Sequence, residues 1–187
     1  MNGIDDLISD ASRRMDKSVE STQVEFNTVR TGRASAALLD RISVDYYGQK
    51  TPLQQLATIN VPEPRMLTVQ PFDPSSIKEI ERAIQESELG LTPSNDGKVI
   101  RLPIPQLTEE RRKELVKIVR QIAEDGKIAV RNVRRDADKH LKELKTKGDV
   151  GEDDERRAED RVQKLTDEHT SRIDDLLKRK EAEITEV

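Results

Sequence analysis

Three separate stretches of the chain place apolar residues at helical spacing, and none of them can bury its apolar face alone. The stretches are residues 4–29, 115–144 and 158–184. Steps of three, four and seven residues give each predicted helix a narrow apolar seam of the kind found in packed helices. The predicted seams are Ile4, Ile8, Ala11, Met15, Thr22, Phe26 and Val29; Leu115, Ile118, Val119, Ile122, Ala129, Val130, Val133, Ala137, Leu141 and Leu144; and Ala158, Val162, Leu165, His169, Ile173, Leu176, Leu177 and Ile184.

The second predicted helix has clear ends. Thr108 is a suitable N-cap, and Glu109 and Glu110 lie in the first turn, where the helix dipole favours negative charge. The helix would extend over roughly 55–60 Å. Gly-Asp-Val-Gly at 148–151 then interrupts the pattern, so the second and third helices are expected to form an antiparallel hairpin. The first helix must pack against that hairpin from a distant part of the sequence.

A different architecture is predicted between the first and second helices, where glycine and proline recur too often for a long helix. Short strands are predicted at 42–46, 56–61, 66–69 and 98–102. Asp73 and Pro74 suit the start of a short helix that ends at about Gln85. The predicted fold class is therefore α+β, a long antiparallel three-helix bundle with an inserted small β/α/β domain.

The predicted bundle takes residues 1–31 and 107–187, and the insert takes residues 32–106. Because the insert is tethered to the bundle twice, its motion is expected to be a hinge-like swing. Gly32 supplies backbone freedom at one tether. The predicted hinge residues are Thr31, Gly32, Arg33, Pro103, Ile104, Pro105 and Gln106.

Charge is unevenly distributed along the chain, whose net charge is −4. Residues 108–147 contain 13 basic and 8 acidic groups, whereas residues 152–187 contain 8 and 13. The chain has no cysteine, which removes disulfides and Cys-ligated zinc, and no run approaches the roughly 20 apolar residues of a membrane span. We expect a cytoplasmic protein with no metal or cofactor, and narrow seams that satisfy one another within a monomer.

The basic residues of the second helix form a single surface feature, which we call the basic stripe. At about 100° per residue its members fall within roughly a 100° arc, away from the apolar seam. Acidic residues appear sparse in that arc, Asp138 being the exception, so most of these cations are expected to lack a partner on their own helix. An arginine-rich row suits phosphate oxygens. The members are Lys127, Arg131, Arg134, Arg135, Lys142 and Lys145.

A solvated, ion-paired helix face is the plain alternative for any such run of charge. If the stripe does bind nucleic acid, the small number of aromatic residues favours recognition of RNA by shape and phosphates over stacking on single strands. Double-helical RNA fits that description.

Catalysis is not favoured by any group of residues. His140 and His169 stand without a Ser, Cys or metal-ligand neighbour at a recognised spacing, and a histidine on a helix seam is usually structural. The acidic run at 152–155 lacks the central glycine of a calcium loop and suits a helix N-terminus. Gly90 and Gly97 are isolated and form no phosphate-binding loop. We therefore expect a protein that is not an enzyme.

Several stretches resemble the ribosome recycling factor family, and the resemblance extends over essentially the whole chain. Val-Arg-Thr-Gly-Arg-Ala at 29–34 is followed by Leu-Leu-Asp at 38–40 and by Val-Asp-Tyr-Tyr-Gly at 44–48. Thr-Ile-Asn-Val-Pro-Glu at 58–63 and Arg-Asn-Val-Arg-Arg at 131–135 are equally specific. Further similar stretches lie at 95–97, 100–101 and 105–112.

The resemblance implies an L-shaped factor that acts on ribosomes after a stop codon has been used. It implies binding of the bundle to the large ribosomal subunit and its rRNA, and subunit separation driven by elongation factor G and GTP. Arg131 and Arg134 match ribosome-contacting arginines of the family, and Arg30 matches another near the hinge. The GTP chemistry would belong to elongation factor G.

Two other readings remain open at this point. The three seams alone would suffice for a coiled-coil scaffold or interaction protein without a ribosomal role. A hydrolase housed in the insert would need clustered catalytic groups, and the insert contains neither His nor Cys.

Overall fold

Three long helices dominate the computed structural model, which describes residues 3–185. They are α1 (Ile4–Thr28), α3 (Glu109–Thr146) and α4 (Glu152–Thr185), and the short helix α2 (Ile77–Glu86) lies between the first two. With 38 residues, α3 is about 57 Å long. Glu109 and Glu110 occupy its first turn, as expected.

Contacts between the long helices define how they run. Arg14 of α1 pairs with Asp136 of α3 at 2.8 Å, and Thr22 lies beside Gly126, so these two helices are antiparallel. Asp5 pairs with Arg161 at 3.2 Å, and Asp16, further along α1, pairs with Arg172, further along α4. Helices α1 and α4 are therefore parallel. The predicted α+β fold with an antiparallel three-helix bundle is confirmed.

The buried faces follow the predicted seams with a few differences. Ile118 was placed in the second seam wrongly, because its side chain is 42% exposed. Leu7 and Val19 of α1 are buried but were not predicted, since the spacing used for that seam skipped them. The buried positions of α3 are Leu115, Val119, Ala123, Gly126, Val130, Val133, Ala137 and Leu141.

The three helices approach one another closely at Gly126. It is a buried position in the middle of α3, where glycine costs about 1 kcal/mol relative to alanine. A Cβ atom there would overlap Thr22 Oγ1 on α1 and would lie 3.3 Å from Ile173 Cδ1 on α4. The Thr22 hydroxyl is already committed to the Ser18 carbonyl, to which it donates over 2.8 Å. The unfavourable helix propensity of Gly126 is therefore offset by packing that no larger residue permits.

A polar contact ties α1 to α4 a short distance away. His169 is 4% exposed, and its Nε2 lies 2.7 Å from Asp16 Oδ1 while its Nδ1 lies 2.7 Å from the Leu165 carbonyl oxygen. Arg172 Nη1 donates to the same Asp16 oxygen over 3.0 Å. The hydrogen bond from His169, followed by that from Arg172, lowers the pKa of Asp16 below its ordinary value.

The insert contains two antiparallel sheets. A hairpin joins β1 (Ser43–Tyr46) to β2 (Gln49–Pro52). The larger sheet has the strand order β3, β4, β6, β5, from β3 (Ala57–Glu63), β4 (Met66–Pro71), β5 (Ser94–Asn95) and β6 (Ile100–Pro103). The four predicted strands are present. β2 and β5 were missed because they are short and polar and bury little apolar surface.

The start of α2 follows the predicted chemistry. Asp73 accepts hydrogen bonds from the backbone N–H and the hydroxyl of Ser75, and Pro74 opens a turn of 3-10 helix, Pro74–Ser76, ahead of α2. Ile77, Ile80 and Ile84 are then buried in the core of the insert. The insert has a core of its own, which includes Leu39, Ile42, Val44, Leu53, Ala57, Leu67, Val69, Ile100 and Leu102.

The backbone divides into two compact units. One runs up to Thr31 and resumes at Glu109, and the other is Gly32–Thr108. The expected first unit also includes residues 1, 2, 186 and 187, which lie outside the described residues. Within residues 3–185 no helix is both long enough and apolar enough to cross a bilayer.

We predict that Gly126→Ala destabilises the bundle. The added methyl group forces α1 and α3 apart, and overpacking of this kind lowers the free energy of unfolding by about 1–3 kcal/mol. The better helix propensity of alanine restores only about 1 kcal/mol. The melting temperature should fall by several degrees in thermal unfolding followed by circular dichroism. Gly151→Ala is the matched control, since a Cβ atom at Gly151 meets nothing within 4 Å. Adding Thr22→Ala should recover part of the loss, and an unchanged Gly126→Ala melting temperature would contradict the close approach.

We also predict that Asp16 stabilises the protein only above acidic pH. Its folded pKa is lowered, so its contribution is complete above the unfolded value of about 3.9 and is lost as the pH falls through the lower folded value. The denaturation midpoints of the wild type and of Asp16→Asn, compared from pH 6 to pH 3, should therefore converge below about pH 4. Asp175→Asn removes the same charge from an exposed position on α4 and should show no such convergence.

Candidate nucleic-acid interface

The basic stripe runs along α3 with one edge beside α4. Contacts recur at nearly constant register down the two antiparallel helices. Arg120 pairs with Glu181 at 2.7 Å, outside the stripe. Within the stripe, Lys127 contacts Asp174, Arg134 contacts Gln163 and Lys145 contacts Glu155. The stripe is thus partly bonded to the neighbouring helix.

The two lysines at the ends of the stripe are ion-paired within the bundle. Lys127 is only 19% exposed, and its Nζ lies 3.0 Å from Asp174 Oδ1. Lys145 Nζ lies 3.7 Å from Glu155 Oε2, an oxygen that is buried and has no hydrogen-bond partner among the described residues. These two cations hold α3 against α4. Because each is paired with a carboxylate, they attract a phosphate less strongly than unpaired cations would.

The expectation that the stripe lacks acidic partners on its own helix is wrong for two members. Glu124 Oε2 lies 3.6 Å from Lys127 Nζ, and Glu124 Oε1 lies 3.3 Å from Arg131 Nη1. Glu124 precedes these residues by three and seven positions, spacings that return to the same helix face. The spacing of Glu124 could therefore have been read from the sequence, although only Asp138 was named there as an acidic residue of the arc.

The two arginines at the centre of the stripe have neutral hydrogen-bond partners. Arg134 Nη1 donates to Gln163 Oε1 over 3.4 Å, and Arg135 Nη1 donates to Asn132 Oδ1 over 3.5 Å. Within residues 3–185 neither arginine forms a salt bridge. A neutral amide orients a guanidinium without cancelling its charge. Arg134 and Arg135 therefore keep their positive charge on this face.

Asp138 lies on the same arc between Arg134 and Lys142. Burial raises the pKa of the Asp138 carboxyl above its ordinary value, although Arg134 and Lys142 act in the opposite direction. Desolvation thus outweighs the two cations at this point.

Arg30 is exposed but is not part of this face. It follows α1, eight positions beyond Thr22, which lies beside Gly126. Because α1 runs antiparallel to α3, this places Arg30 on the order of 20 Å along the bundle from Arg131. A ligand that touched both would have to be extended.

The predicted hinge residues fall into two groups. Pro103 is the last residue of β6, and the backbone N–H of Ile104 donates to the Arg65 carbonyl over 2.9 Å, so both are held to the β3–β4 turn. Thr31, Arg33, Pro105 and Gln106 lie outside helices and strands. Gly32 has φ of +75°, and a Cβ atom there would lie 2.9 Å from the Leu107 side chain.

Comparison with known proteins identifies the family. The model of the ribosome recycling factor family matches residues 22–185. The chain belongs to the ribosome recycling factor family. The resemblance noted in the sequence motifs is thereby confirmed.

Curated ribosome recycling factors align over nearly their whole length. The factor from Rubrobacter xylanophilus is 56% identical over 187 residues, which cover all of both chains. The factor from Halalkalibacterium halodurans is 57% identical and covers 97% of this chain and 98% of its own. The factor from Synechocystis is 56% identical and covers 96% and 99%.

Solved ribosome recycling factors share the fold. A solution structure of the ribosome recycling factor has a TM-score of 0.74 and 43% identity, and covers all of both chains. A second match has a TM-score of 0.63 and 46% identity, and covers 97% of this chain and 98% of that one. It is described as models for the T. thermophilus ribosome recycling factor and the E. coli elongation factor G bound to the E. coli post-termination complex.

Proposed function

We propose that this chain recycles ribosomes after termination. Its bundle binds the rRNA of the large ribosomal subunit through the basic stripe, and elongation factor G with GTP then drives it to separate the subunits. The observation that carries the RNA contact is the pair Arg134 and Arg135, which point from the centre of the stripe with neutral amides as partners. Membership of the family supports the ribosomal role.

The shape of the stripe suits a folded RNA. Arg131 and Lys142 are eleven residues apart on a straight helix, or about 16 Å, so the charges form a row fixed by the backbone of α3. Phosphates of double-helical RNA also form fixed rows, and arginine forks match their oxygens. A helix held on two sides by α1 and α4 keeps this row in place before RNA arrives.

The two units have different parts in the proposed mechanism. The bundle transmits force from the partner to the subunit interface, and the insert swings about Thr31–Arg33 and Pro105–Gln106 to meet elongation factor G. The hydrogen bonds that hold Pro103 and Ile104 to the insert favour the outer residues as the moving part. GTP hydrolysis belongs to the partner, and the chain acts as a monomeric, non-enzymatic factor in the cytoplasm.

Arg134→Glu should abolish binding to purified large ribosomal subunits at physiological salt while the fold is retained. Arg134 is half-buried and contacts α4 through a long hydrogen bond of 3.4 Å to Gln163, so its substitution should change the free energy of unfolding by only about 0.5 kcal/mol, whereas a reversed charge repels phosphate. Binding would be measured over a salt series, with helicity and melting temperature measured in parallel. Arg157→Glu reverses a charge at an exposed position of α4 and is the matched control.

Wild-type affinity should fall steeply with salt, by about one logarithmic unit per phosphate contact for each tenfold rise in salt. An affinity that changes neither with salt nor with the Arg134→Glu substitution would favour the scaffold interpretation instead.

Gly32→Ala should slow subunit splitting severalfold and leave affinity for the large subunit unchanged. The methyl group would meet Leu107 at 2.9 Å and would also strain the positive φ, so the two tethers lose their present packing. Gly48→Ala imposes similar strain at φ of +80° with nothing within 4 Å, and it separates backbone strain from the Leu107 contact. Splitting would be followed by light scattering with elongation factor G and GTP. Equal rates for wild type and Gly32→Ala would refute a requirement for motion at this tether.

A further inference from the structure

A single carboxylate on α3 faces two cations of the basic stripe. Glu124 presents one oxygen to Arg131, 3.3 Å away, and its other oxygen to Lys127, 3.6 Å away. Its side chain is 49% exposed and that of Arg131 is 39% exposed, so both groups are accessible from solvent. A carboxylate in this position resembles one phosphate of a ligand that binds the same face.

The two cations differ in what they would retain if Glu124 were displaced. Lys127 keeps Asp174, which lies closer, at 3.0 Å, on the opposite helix. The described residues offer Arg131 no other carboxylate within ion-pair distance. Displacement of Glu124 therefore frees the guanidinium of Arg131 and leaves Lys127 paired.

We propose that Glu124 is an internal counter-ion that occupies the place of a phosphate at Arg131 and thereby weakens the binding of the bundle to RNA. The proposal rests on the proposed function. When RNA binds, a phosphate oxygen replaces Glu124 Oε1 beside Arg131. Glu124 thus determines how tightly the stripe holds RNA, and it does so as a positioning residue that acts through Arg131.

The exchange is feasible because the pair is exposed and therefore weak. Partly exposed ion pairs give up little free energy when they are broken, so a phosphate can compete for the guanidinium. The displaced carboxylate then attracts a cation from solution. That uptake offsets part of the counter-ion release that accompanies phosphate binding. Removal of the Glu124 charge should therefore raise affinity and also make affinity depend more steeply on salt.

The test compares Glu124→Gln with Asp125→Asn on purified large ribosomal subunits over a salt series. Both variants remove one negative charge from adjacent positions of α3. Asp125 faces away from the stripe and contacts Gln121, so it controls for the change in net charge. We expect Glu124→Gln to bind roughly two- to fivefold more tightly than Asp125→Asn, with slower dissociation. Its salt slope should be steeper by up to about one.

A second arm places Glu124→Gln in an Arg131→Gln chain. The gain should disappear there, since Glu124 acts through Arg131, and such coupling is what a double-mutant cycle measures. Weaker binding by Glu124→Gln would show that Glu124 orients Arg131 for RNA and would overturn the proposal. Equal affinities of Glu124→Gln and Asp125→Asn, or a gain that persists without Arg131, would also overturn it. Failure of the wild type to bind in a salt-sensitive way would instead refute the proposed function.

Discussion

The bundle depends on the contact between α1, α3 and α4 around Gly126. Each helix has an apolar seam too narrow to form a core with only one neighbour, so all three must meet along a common line. The absence of a side chain at Gly126 lets Thr22 and Ile173 approach the α3 backbone from both other helices. The ion pairs and hydrogen bonds at the edges, including those that hold the basic stripe to α4, require the helices to be at this spacing.

Much of this arrangement could be predicted because helical periodicity is a local property of sequence. The seams, the break at 148–151 and the cap formed by Asp73 and Pro74 were all readable without a structure. Strands β2 and β5 were not, since their polar residues pair only through contacts made elsewhere in the insert. Ile118 fits the helical spacing yet is exposed, because which side of a seam faces a partner depends on the other two helices.

The candidate site was predictable in position but not in charge. A helical projection places the cations of the basic stripe together, and it also contains Glu124. The partners on α4 could not be predicted, because Asp174, Gln163 and Glu155 meet the stripe only through the register of the two helices. That register pairs Lys127 and Lys145 with carboxylates of α4, whereas Arg134 and Arg135 have neutral partners. Sequence alone treats the six as equivalent.

The way the insert begins and ends bears on how the chain folds. The N–H of Ala34 donates to the Pro64 carbonyl over 2.7 Å, and the N–H of Ile104 donates to the adjacent Arg65 carbonyl. The two ends of this unit therefore emerge from neighbouring points of one hairpin. Contacts of α1 with α4 join residues as many as 156 positions apart, a separation that ordinarily slows folding. Once the insert has formed on its own core, the end of α1 and the start of α3 are linked by a short physical path through Ala34 and Ile104. The entropy lost on docking α1 against α3 is then that of closing a small loop, and α4 follows as the other half of the α3–α4 hairpin.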